Sequence, residues 1–385
     1  MSEIYLDNAA TTAPHPQVVE TMMRYYTEAY GNPSALYDKG IAVEKNIREV
    51  RRRIASELGT TEESIYFTSG GTEGNNTLIK GIVEKQRIDN IRMITTAIEH
   101  PSVLEVFHFY AEHGMEVVYV PVDGQGKIDM NFLAANIDER TALVSVMGVN
   151  NELGTIQDLK AIGRLVKEKN PKCLFHTDFV QGFMKVPVDV EACKLDALTF
   201  CAHKICGPKG VGGIYLRKGV RIKPLIVGGG QERNLRSGTE NVPGIMGLGK
   251  AVEIHQHLGS ERIERAQRVK TALLRALSDV PDMRVNSPED ASPFVTSLSF
   301  KGVRGEVLLH SLEGEGIYVS TGSACSSHKK EKQHVLSAIH LPEEYKEGTI
   351  RVSFSVNTTE MEVLAAAEAI KKAVAQLRML LRYKH

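Results

Sequence analysis

The stretch "FTSGGTEGNN", Phe67–Asn76, decides the fold class of this chain. An apolar run ends here, a Ser-Gly-Gly turn follows, and a helical pattern begins at about Thr72, so the stretch predicts a strand that leads directly into a helix. Backbone N–H groups at such a helix start lie unpaired beside the positive end of the helix dipole, which favours a bound phosphate. An ordinary glycine turn is the alternative, because the pattern is neither a Walker loop nor the dinucleotide fingerprint.

The same alternation of strand and helix continues along the chain. Helical patterns follow Pro101 and Asp158, and an amphipathic helix with a predicted C-cap at Gly59 precedes them. The strand-like runs are "SIYFT", "RMITTA", "EVVYVPV", "ALVSVMGV", "CLFHTD", "ALTFCAHK" and "GGIYLRK". Short strands separated by helices form right-handed βαβ units, so we predict an α/β fold with a mostly parallel sheet covered by helices. Ligands then belong at the C-terminal ends of the strands.

The pattern changes after about Pro243, which predicts a second domain. One long helical pattern runs to Ala276, and the runs "FVTSLSF", "IYVSTG" and "TIRVSFS" follow, with a helix near Glu306–Leu312 and a last amphipathic helix. This mixture is typical of a small two-layer α+β domain. The predicted boundaries are 15–250 for the large domain and 1–14 with 251–385 for the small domain.

Charge and cysteine content narrow the class of protein. The 385 residues balance to a formal net charge of +0, so no global field attracts nucleic acid or an acidic membrane. No stretch of eighteen apolar residues is present, which predicts a soluble, cytoplasmic protein. The cysteines number five and are widely spaced, so a disulfide scaffold is not expected and a reducing compartment fits.

Two ends of predicted strands carry reactive side chains. Asp178 ends the apolar run in "LFHTDFVQG", where it could cap a helix or pair with a protonated ring nitrogen. Lys204 follows the next run in "AHKICGPKGVGG", where it could be a surface lysine or form a Schiff base. A phosphate cradle, a carboxylate and a lysine in this order are the attachments that pyridoxal 5'-phosphate needs. A zinc corner of Cys201, His203 and Cys206 matches no common structural spacing.

The segment "STGSACSSHKK", Ser320–Lys330, presents an unexplained thiol. Cys325 lies among Gly, Ser and Ala, with no bulky apolar neighbour to bury it. Free cysteine is usually a small buried hydrophobe, so a thiol in a polar loop indicates either an incidental exposed side chain or a nucleophile.

At this point the chain resembles a known family. The motifs "YLDNAATT", "SGGTEGNN", "EHPSV", "VNNELGTIQ", "HTDFVQG", "AHKICGPKGVGG", "GGGQERNLRSGTEN" and "STGSACSS" occur in the order found in cysteine desulfurases of the NifS/IscS-like type, in the class-V aminotransferase family. These are fold type I pyridoxal-phosphate enzymes, and the resemblance covers essentially the whole chain. It implies a seven-stranded, mostly parallel sheet, and a mobile loop at about 320–333 that carries the catalytic cysteine.

The resemblance also implies roles for individual residues. Lys204 would hold the cofactor covalently, Asp178 would pair with the ring nitrogen, and His100 would stack on the ring and assist proton transfer, although a lone His in this context is otherwise a helix-start residue. Arg351 would bind the substrate carboxylate, with Asn32 nearby. The implied cofactor-binding set is Gly71, Thr72, Asn151 (with Asn150 less favoured), Asp178, Gln181, Cys201, His203, Lys204 and, across a dimer interface, Thr239.

By the same resemblance, Cys325 would attack the sulfur of L-cysteine, leaving L-alanine and an enzyme persulfide. His328 and Lys329 would help to keep the thiolate accessible. The implied partners are a second copy of the chain and a sulfur acceptor, either an iron–sulfur cluster scaffold or a tRNA-thiolation protein, without direct binding of nucleic acid or membrane. No resident metal is expected, although Cys325 could transiently ligate an iron–sulfur cluster. A selenocysteine lyase, or another β-lyase or aminotransferase on this scaffold, is the alternative.

Four positions depart from the family's usual pattern. Cys201 replaces a serine that donates to the phosphate, and a thiol is the weaker donor. Tyr37 replaces a histidine, Phe179 replaces a small residue, and no second arginine follows Arg351 in "SFSVNTTE". These departures concern binding of the cofactor and of the substrate.

Overall fold

The computed structural model describes residues 3–85, 91–321 and 333–382. The strands are β1 (Ile4–Tyr5), β2 (Ile65–Thr68), β3 (Arg92–Thr96), β4 (Glu116–Val120), β5 (Thr141–Ser145), β6 (Leu174–Asp178), β7 (Ala197–Cys201), β8 (Gly212–Leu216), β9 (Met283–Val285), β10 (Val295–Phe300), β11 (Ile317–Tyr318) and β12 (Thr349–Ser353). The helices are α1 (Pro16–Thr27), α2 (Asp38–Leu58), α3 (Gly71–Val83), α4 (Pro101–Glu112), α5 (Met130–Asn136), α6 (Leu159–Lys169), α7 (Val242–Leu258), α8 (Glu261–Ala276), α9 (Gly305–Glu313), α10 (His334–Ala338), α11 (Glu343–Lys346) and α12 (Glu360–Arg382).

The central sheet contains seven strands in the order β2-β8-β7-β6-β5-β3-β4. All neighbours from β7 to β4 pair in parallel, and β8 alone runs antiparallel to both of its neighbours, β2 and β7. Every residue of β5, β7 and β8 is buried, as expected for strands covered on both faces. The prediction of a mostly parallel seven-stranded sheet is confirmed, and each of the seven predicted runs forms one of its strands.

A smaller α+β region follows in the sequence. Strands β12, β10 and β9 form an antiparallel sheet, and β11 pairs with β1 from the N-terminal end. One cluster of buried side chains joins Leu6 to apolar residues of α8, α9, β10, β12 and α12. The N-terminal segment therefore packs with the C-terminal part of the chain, and the division into 15–250 and 1–14 with 251–385 stays a prediction.

The prediction of a single helical pattern between Pro243 and Ala276 is wrong. Helix α7 ends at Leu258, and its C-cap Gly259 has φ 52° and ψ −135°, a conformation that an L-residue rarely adopts. Helix α8 then begins at Glu261. The apolar residues of α7 pack in the cluster around the large sheet, whereas those of α8 pack in the small region, so the break separates two cores. Apolar periodicity continues across the break and concealed it.

Among the described residues, none of the helices is both long enough and apolar enough to span a bilayer.

Candidate active site

The site is built at the C-terminal edge of the parallel strands β6 and β7. Asp178 is the last residue of β6, and its Cα pairs with that of Thr199 on β7. Cys201 ends β7, and Lys204 follows three residues later. Because parallel neighbours end at the same edge of a sheet, the carboxylate and the amine are brought to one side of the molecule.

The N-terminal segment closes over the amine of Lys204. Lys204 Nζ donates to the carbonyl oxygens of Ala9 and Ala10, at 2.5 Å each. Gln181 Nε2 donates to the same Ala9 oxygen at 2.9 Å. Lys204 and Gln181 therefore share an acceptor, which brings two of the predicted site residues together. The carbonyl oxygen of Gln181, Oε1, is buried without a partner among the described residues.

Asp178 is buried and held by two donors. The backbone N–H of Val180 donates to Oδ1 at 3.0 Å, and Asn75 Nδ2 donates to Oδ2 at 2.8 Å. The bond to Val180 closes a local turn and caps no helix, so the helix-cap alternative for Asp178 is wrong. Each carboxylate oxygen has a second lone pair, and the group keeps capacity for a further donor such as a ring N–H.

His100 is the N-cap of α4, with its Nδ1 accepting from the backbone N–H of Ser102 at 3.1 Å. The helix-start interpretation of this histidine is thus correct in geometry, and it does not exclude a role in the site. Burial lowers the pKa of His100, and the carboxylate of Asp178 acts in the opposite direction. The ring is therefore expected to be neutral at physiological pH.

The start of α3 is a suitable phosphate cradle. Gly70 is the N-cap with φ +154°, no side chain caps the helix, and the space where its Cβ would project is open. A Cβ at Gly71 would lie 2.8 Å from Val180 Cγ2, so the close approach of the chain to the segment after Asp178 requires glycine there. Thr72 is exposed at this helix start. The free N–H groups of the first turn fit an anionic group.

Two further cofactor candidates lie at the end of β7. Burial raises the pKa of the Cys201 thiol to about 11, so Cys201 keeps its proton and can act as a weak donor. His203 Nδ1 lies 3.2 Å from Thr11 Oγ1, and burial, followed by the charge of Lys204, lowers its pKa to about 4. The uncapped helix start, the unpaired Gln181 oxygen and the lysine amine together fit pyridoxal phosphate.

Arg351 is buried next to Asn151. Its Nη1 donates to the Asn151 carbonyl at 3.0 Å, its Nη2 to Asp7 Oδ1 at 2.8 Å, and its Nε is buried without a partner among the described residues. That unpaired donor fits a carboxylate ligand. The side chain of Asn150 donates to Ile98 O and accepts from two backbone N–H groups, so it has a structural role and Asn151 is the better candidate.

Other predicted residues are not joined to this group. Asn32 is exposed and accepts from Ser34 N in its own turn, and Thr239 is exposed beside α7. Cys325, His328 and Lys329 lie outside the described residues. The flanks of their segment are nevertheless attached to the site: Ser320 pairs with Arg351 through two backbone bonds, and His334 Nε2 lies 3.1 Å from the Glu99 carbonyl.

Sequence reasoning missed several residues of the site. Asn75 and Ser102 connect Asp178 to His100, and Asp7, Ala9 and Ala10 contact Arg351 and Lys204. The motifs "SGGTEGNN", "EHPSV" and "YLDNAATT" contain all of them, so the signal was present without an assigned role.

Phe179, a departure from the family's pattern, is accommodated by two glycines. A Cβ at Gly148 or at Gly182 would lie 2.4 Å from the Phe179 ring. The ring is buried in the main core and points away from solvent. The larger side chain thus occupies space that these glycines leave open, whereas Tyr37 is exposed at the start of α2.

Glu99, next to His100, is expected to make the stability of the protein depend on pH. Burial raises the pKa of its carboxyl group from 4.5 to about 8, with the charge of Asp178 acting in the same direction. Between these values the unfolded chain is ionised and the native group is protonated, so the native state loses stability as pH rises from about 4.5 to about 8. A glutamine side chain at this position cannot titrate. Glu99→Gln should therefore gain roughly 3 kcal/mol relative to the native sequence between about pH 5.5 and pH 8.

Urea unfolding of both proteins at the two pH values measures this difference. Glu112→Gln, at an exposed position at the end of α4, is the control and should show no such gain. An equal change for Glu99→Gln and the native sequence would mean that Glu99 is ionised in the folded protein.

Metal ligation was not expected, and no group of three or more His, Cys, Asp or Glu within residues 3–85, 91–321 and 333–382 is arranged to hold an ion. The cysteines Cys173, Cys193, Cys201 and Cys206 are free thiols.

Comparison with known proteins identifies the family. The aminotransferase class-V model matches residues 4–365. A cysteine desulfurase IscS of Clostridium botulinum is 41% identical over 98% of this chain and 95% of its own length, and a cysteine desulfurase of Trichormus azollae is 42% identical over 100% and 96%. The solved structure of a NifS-like protein aligns with a TM-score of 0.92 at 40% identity, over 97% of this chain and 100% of its own. The predicted resemblance is confirmed, and with it the fold type I architecture. The chain therefore belongs to the class-V aminotransferase family, as one of its IscS/NifS-like cysteine desulfurases.

Proposed function

We propose that this protein takes the sulfur of L-cysteine onto Cys325 as a persulfide, releases L-alanine and passes the sulfur to an acceptor protein. As a family member the chain is a pyridoxal-phosphate-dependent cysteine desulfurase with L-cysteine as its substrate. The observation that carries the proposed roles is the convergence of the Lys204 amine, the Asp178 carboxylate and His100 at one sheet edge. Hydrogen bonds through Asn75 and Ser102 link Asp178 to His100, and Lys204 shares the Ala9 carbonyl with Gln181.

In this proposal the chain's own groups hold the cofactor. The first turn of α3, with Gly71 and Thr72, would bind the phosphate, assisted by Cys201 and His203 of the same copy. Thr239 would reach the phosphate from a second copy of the chain. Gln181 and Asn151 would lie on the side of the ring hydroxyl, and Asp178 would keep the ring nitrogen protonated. When bound, pyridoxal phosphate supplies an electron sink for the bonds at the substrate's α-carbon.

The remaining steps belong to protein side chains. Arg351 binds the substrate carboxylate and thereby fixes the orientation of the α-carbon. Lys204 Nζ, once free of its carbonyl partners, takes the α-proton as a general base. The Cys325 thiolate attacks the substrate sulfur: an S–S bond forms, the C–S bond breaks, and its electron pair stays on the carbon skeleton. The skeleton takes up one proton at the β-carbon, regains the α-proton from Lys204 and leaves as L-alanine.

Incubation of the purified, cofactor-loaded protein with L-cysteine tests this function. We expect L-alanine in the supernatant and one added sulfur atom on the Cys325 peptide by mass spectrometry. Pyruvate and sulfide without added sulfur on the protein would favour a β-lyase, and a large preference for selenocysteine over cysteine would favour the selenocysteine lyase alternative.

Arg351→Lys is expected to raise the KM for L-cysteine about ten- to a hundredfold, with a smaller effect on kcat. Lysine keeps the positive charge next to Asp7 but cannot donate two parallel bonds to a carboxylate. Arg304→Lys, at an exposed position, is the matched control. An unchanged KM together with a lowered kcat would indicate that Arg351 only positions other residues.

A homodimer is part of the proposal. Thr239 is exposed, as a residue that contributes to another subunit's site must be. The exposed face of α1 and the turn after it is rich in large apolar side chains: Val19, Met23, Tyr26, Tyr30 and Leu36. Such a patch on a globular chain favours a protein interface. Sedimentation of the cofactor-loaded enzyme measures its oligomeric state directly. A monomer that retains all of its cofactor would contradict the proposed role of Thr239.

The sulfur acceptor is proposed to be an iron–sulfur cluster scaffold or a tRNA-thiolation protein, in the cytoplasm. The persulfide is bound to protein, so a second protein must reach the Cys325 segment to collect it.

A further inference from the structure

A continuous chain of hydrogen bonds links Asp178 to His100 through two residues to which the proposed function gives no part. Asn75 Nδ2 donates to Asp178 Oδ2 at 2.8 Å and to Ser102 Oγ at 2.8 Å. Ser102 Oγ in turn lies 2.8 Å from His100 Nδ1, and the Ser102 backbone N–H donates to the same nitrogen at 3.1 Å. Asn75 and Ser102 are buried.

Chemistry fixes which atom donates in each bond of this hydrogen-bond network. A carboxylate only accepts, so the amide of Asn75 must present its nitrogen to Asp178. The other hydrogen of that nitrogen goes to Ser102 Oγ, whose own hydrogen is then free to go to His100. A backbone N–H only donates, so His100 Nδ1 must carry a lone pair and not a hydrogen.

We infer that Asn75 and Ser102 are positioning residues that hold His100 as the neutral tautomer with its hydrogen on Nε2. In this state His100 offers a proton donor through Nε2 and cannot accept a proton at Nδ1 without losing both bonds from Ser102. The inference rests on the proposed presence of His100 at the reaction centre, but the tautomer itself does not depend on that role.

The surroundings of His100 also favour its neutral form. Burial lowers the pKa of His100, and the cations Lys204 and Arg351 together with His334 lower it further, whereas Asp178 raises it. Hydrogen bonds to the neutral ring disfavour protonation as well. Asn75 Oδ1 is buried without a hydrogen-bond partner among the described residues. The position of the amide therefore satisfies the two bonds from its nitrogen and leaves its oxygen unpaired.

The experiment is nitrogen NMR of the full-length, cofactor-loaded protein with labelled histidine, with the His100 resonances assigned by their loss in His100→Gln. We expect a lone-pair resonance for Nδ1 and a protonated resonance for Nε2. In Ser102→Ala the midpoint of the His100 titration should rise by about one pH unit, because one bond to the neutral ring is lost. Ser102→Thr should restore the native midpoint, and Ser311→Ala, at an exposed serine, should leave it unchanged.

Alanine formation supplies a second readout. Ser102→Ala should lower kcat about tenfold with little change in KM, since Ser102 is not proposed to contact the substrate, and Ser102→Thr should recover most of the native kcat.

A hydrogen on Nδ1 in the native protein, or an unchanged midpoint of the His100 titration in Ser102→Ala, would overturn the inference. If Ser102→Ala does not fold, Asn75→Ala replaces it, with a smaller rise in the midpoint, because Ser102 Oγ then loses the donor that directs its own hydrogen to His100. Failure of the desulfurase proposal is seen in the alanine assay alone, because the ring resonances report the tautomer whether or not alanine forms.

Discussion

Replacing Lys204 by alanine is expected to lower alanine formation from L-cysteine by at least about a thousandfold. The proposed reaction uses this amine twice, as the covalent anchor of the cofactor and as the base that takes the α-proton. Its position follows from the end of β7 and from the Ala9 and Ala10 carbonyls, which hold Nζ at 2.5 Å. The measurement is the initial rate of alanine formation together with the visible absorbance that a Schiff base with lysine gives, and both should be lost.

Two further variants make this result specific to the amine. Lys209→Ala removes an exposed lysine from the same loop and should keep full activity. Lys204→Arg keeps a cation at the two carbonyls, but a guanidinium cannot lose its proton near neutral pH and should be as inactive as alanine. Substantial activity in Lys204→Arg would show that the residue acts through its charge and that another group removes the α-proton.

Local sequence patterns were sufficient to predict the strands of the large sheet and the edge at which Asp178 and Lys204 lie. Each strand of this sheet is a short apolar run bounded by turn residues, so the ends of β6 and β7 were visible in the sequence. Asp178 is the last residue of β6 and Lys204 comes three residues after the end of β7, and the topology rule for parallel strands then brings them together. The helix start was predicted at about Thr72, one residue from the observed start at Gly71, since a glycine turn and a following helical pattern are both local signals.

Contacts between distant parts of the chain could not be predicted in this way. The N-terminal carbonyls reach Lys204 across 194 and 195 residues, and Asn75 reaches Asp178 across 103. No periodicity encodes such pairs, because they depend on how separate elements pack. The break between α7 and α8 was missed for a related reason: apolar spacing reports that a face is buried but not which core it faces.

Replacing Cys325 by alanine is expected to abolish the protein persulfide and to lower alanine formation by about a thousandfold or more. Without the thiolate no group accepts the substrate sulfur, so the C–S bond has no route to break in the proposed reaction. Cys325→Ser is expected to be equally inactive, because a hydroxyl is a far weaker nucleophile than a thiolate near neutral pH. Cys193→Ala, at a partly exposed free thiol, is the matched control.

Cys325 lies outside the described residues, but the residue at which its segment begins is attached to the proposed active site. Ser320 is bound to Arg351, the proposed substrate-carboxylate ligand, and Cys325 is five positions farther along the chain. Five residues span at most about 17 Å, so the thiol cannot be much farther than that from the Ser320 backbone. Undiminished consumption of L-cysteine by Cys325→Ala, with pyruvate and sulfide released to solution, would contradict the nucleophile and favour direct β-elimination. Alanine formation with added sulfur on another cysteine would transfer the role to that residue and leave Lys204, Asp178 and Arg351 in theirs.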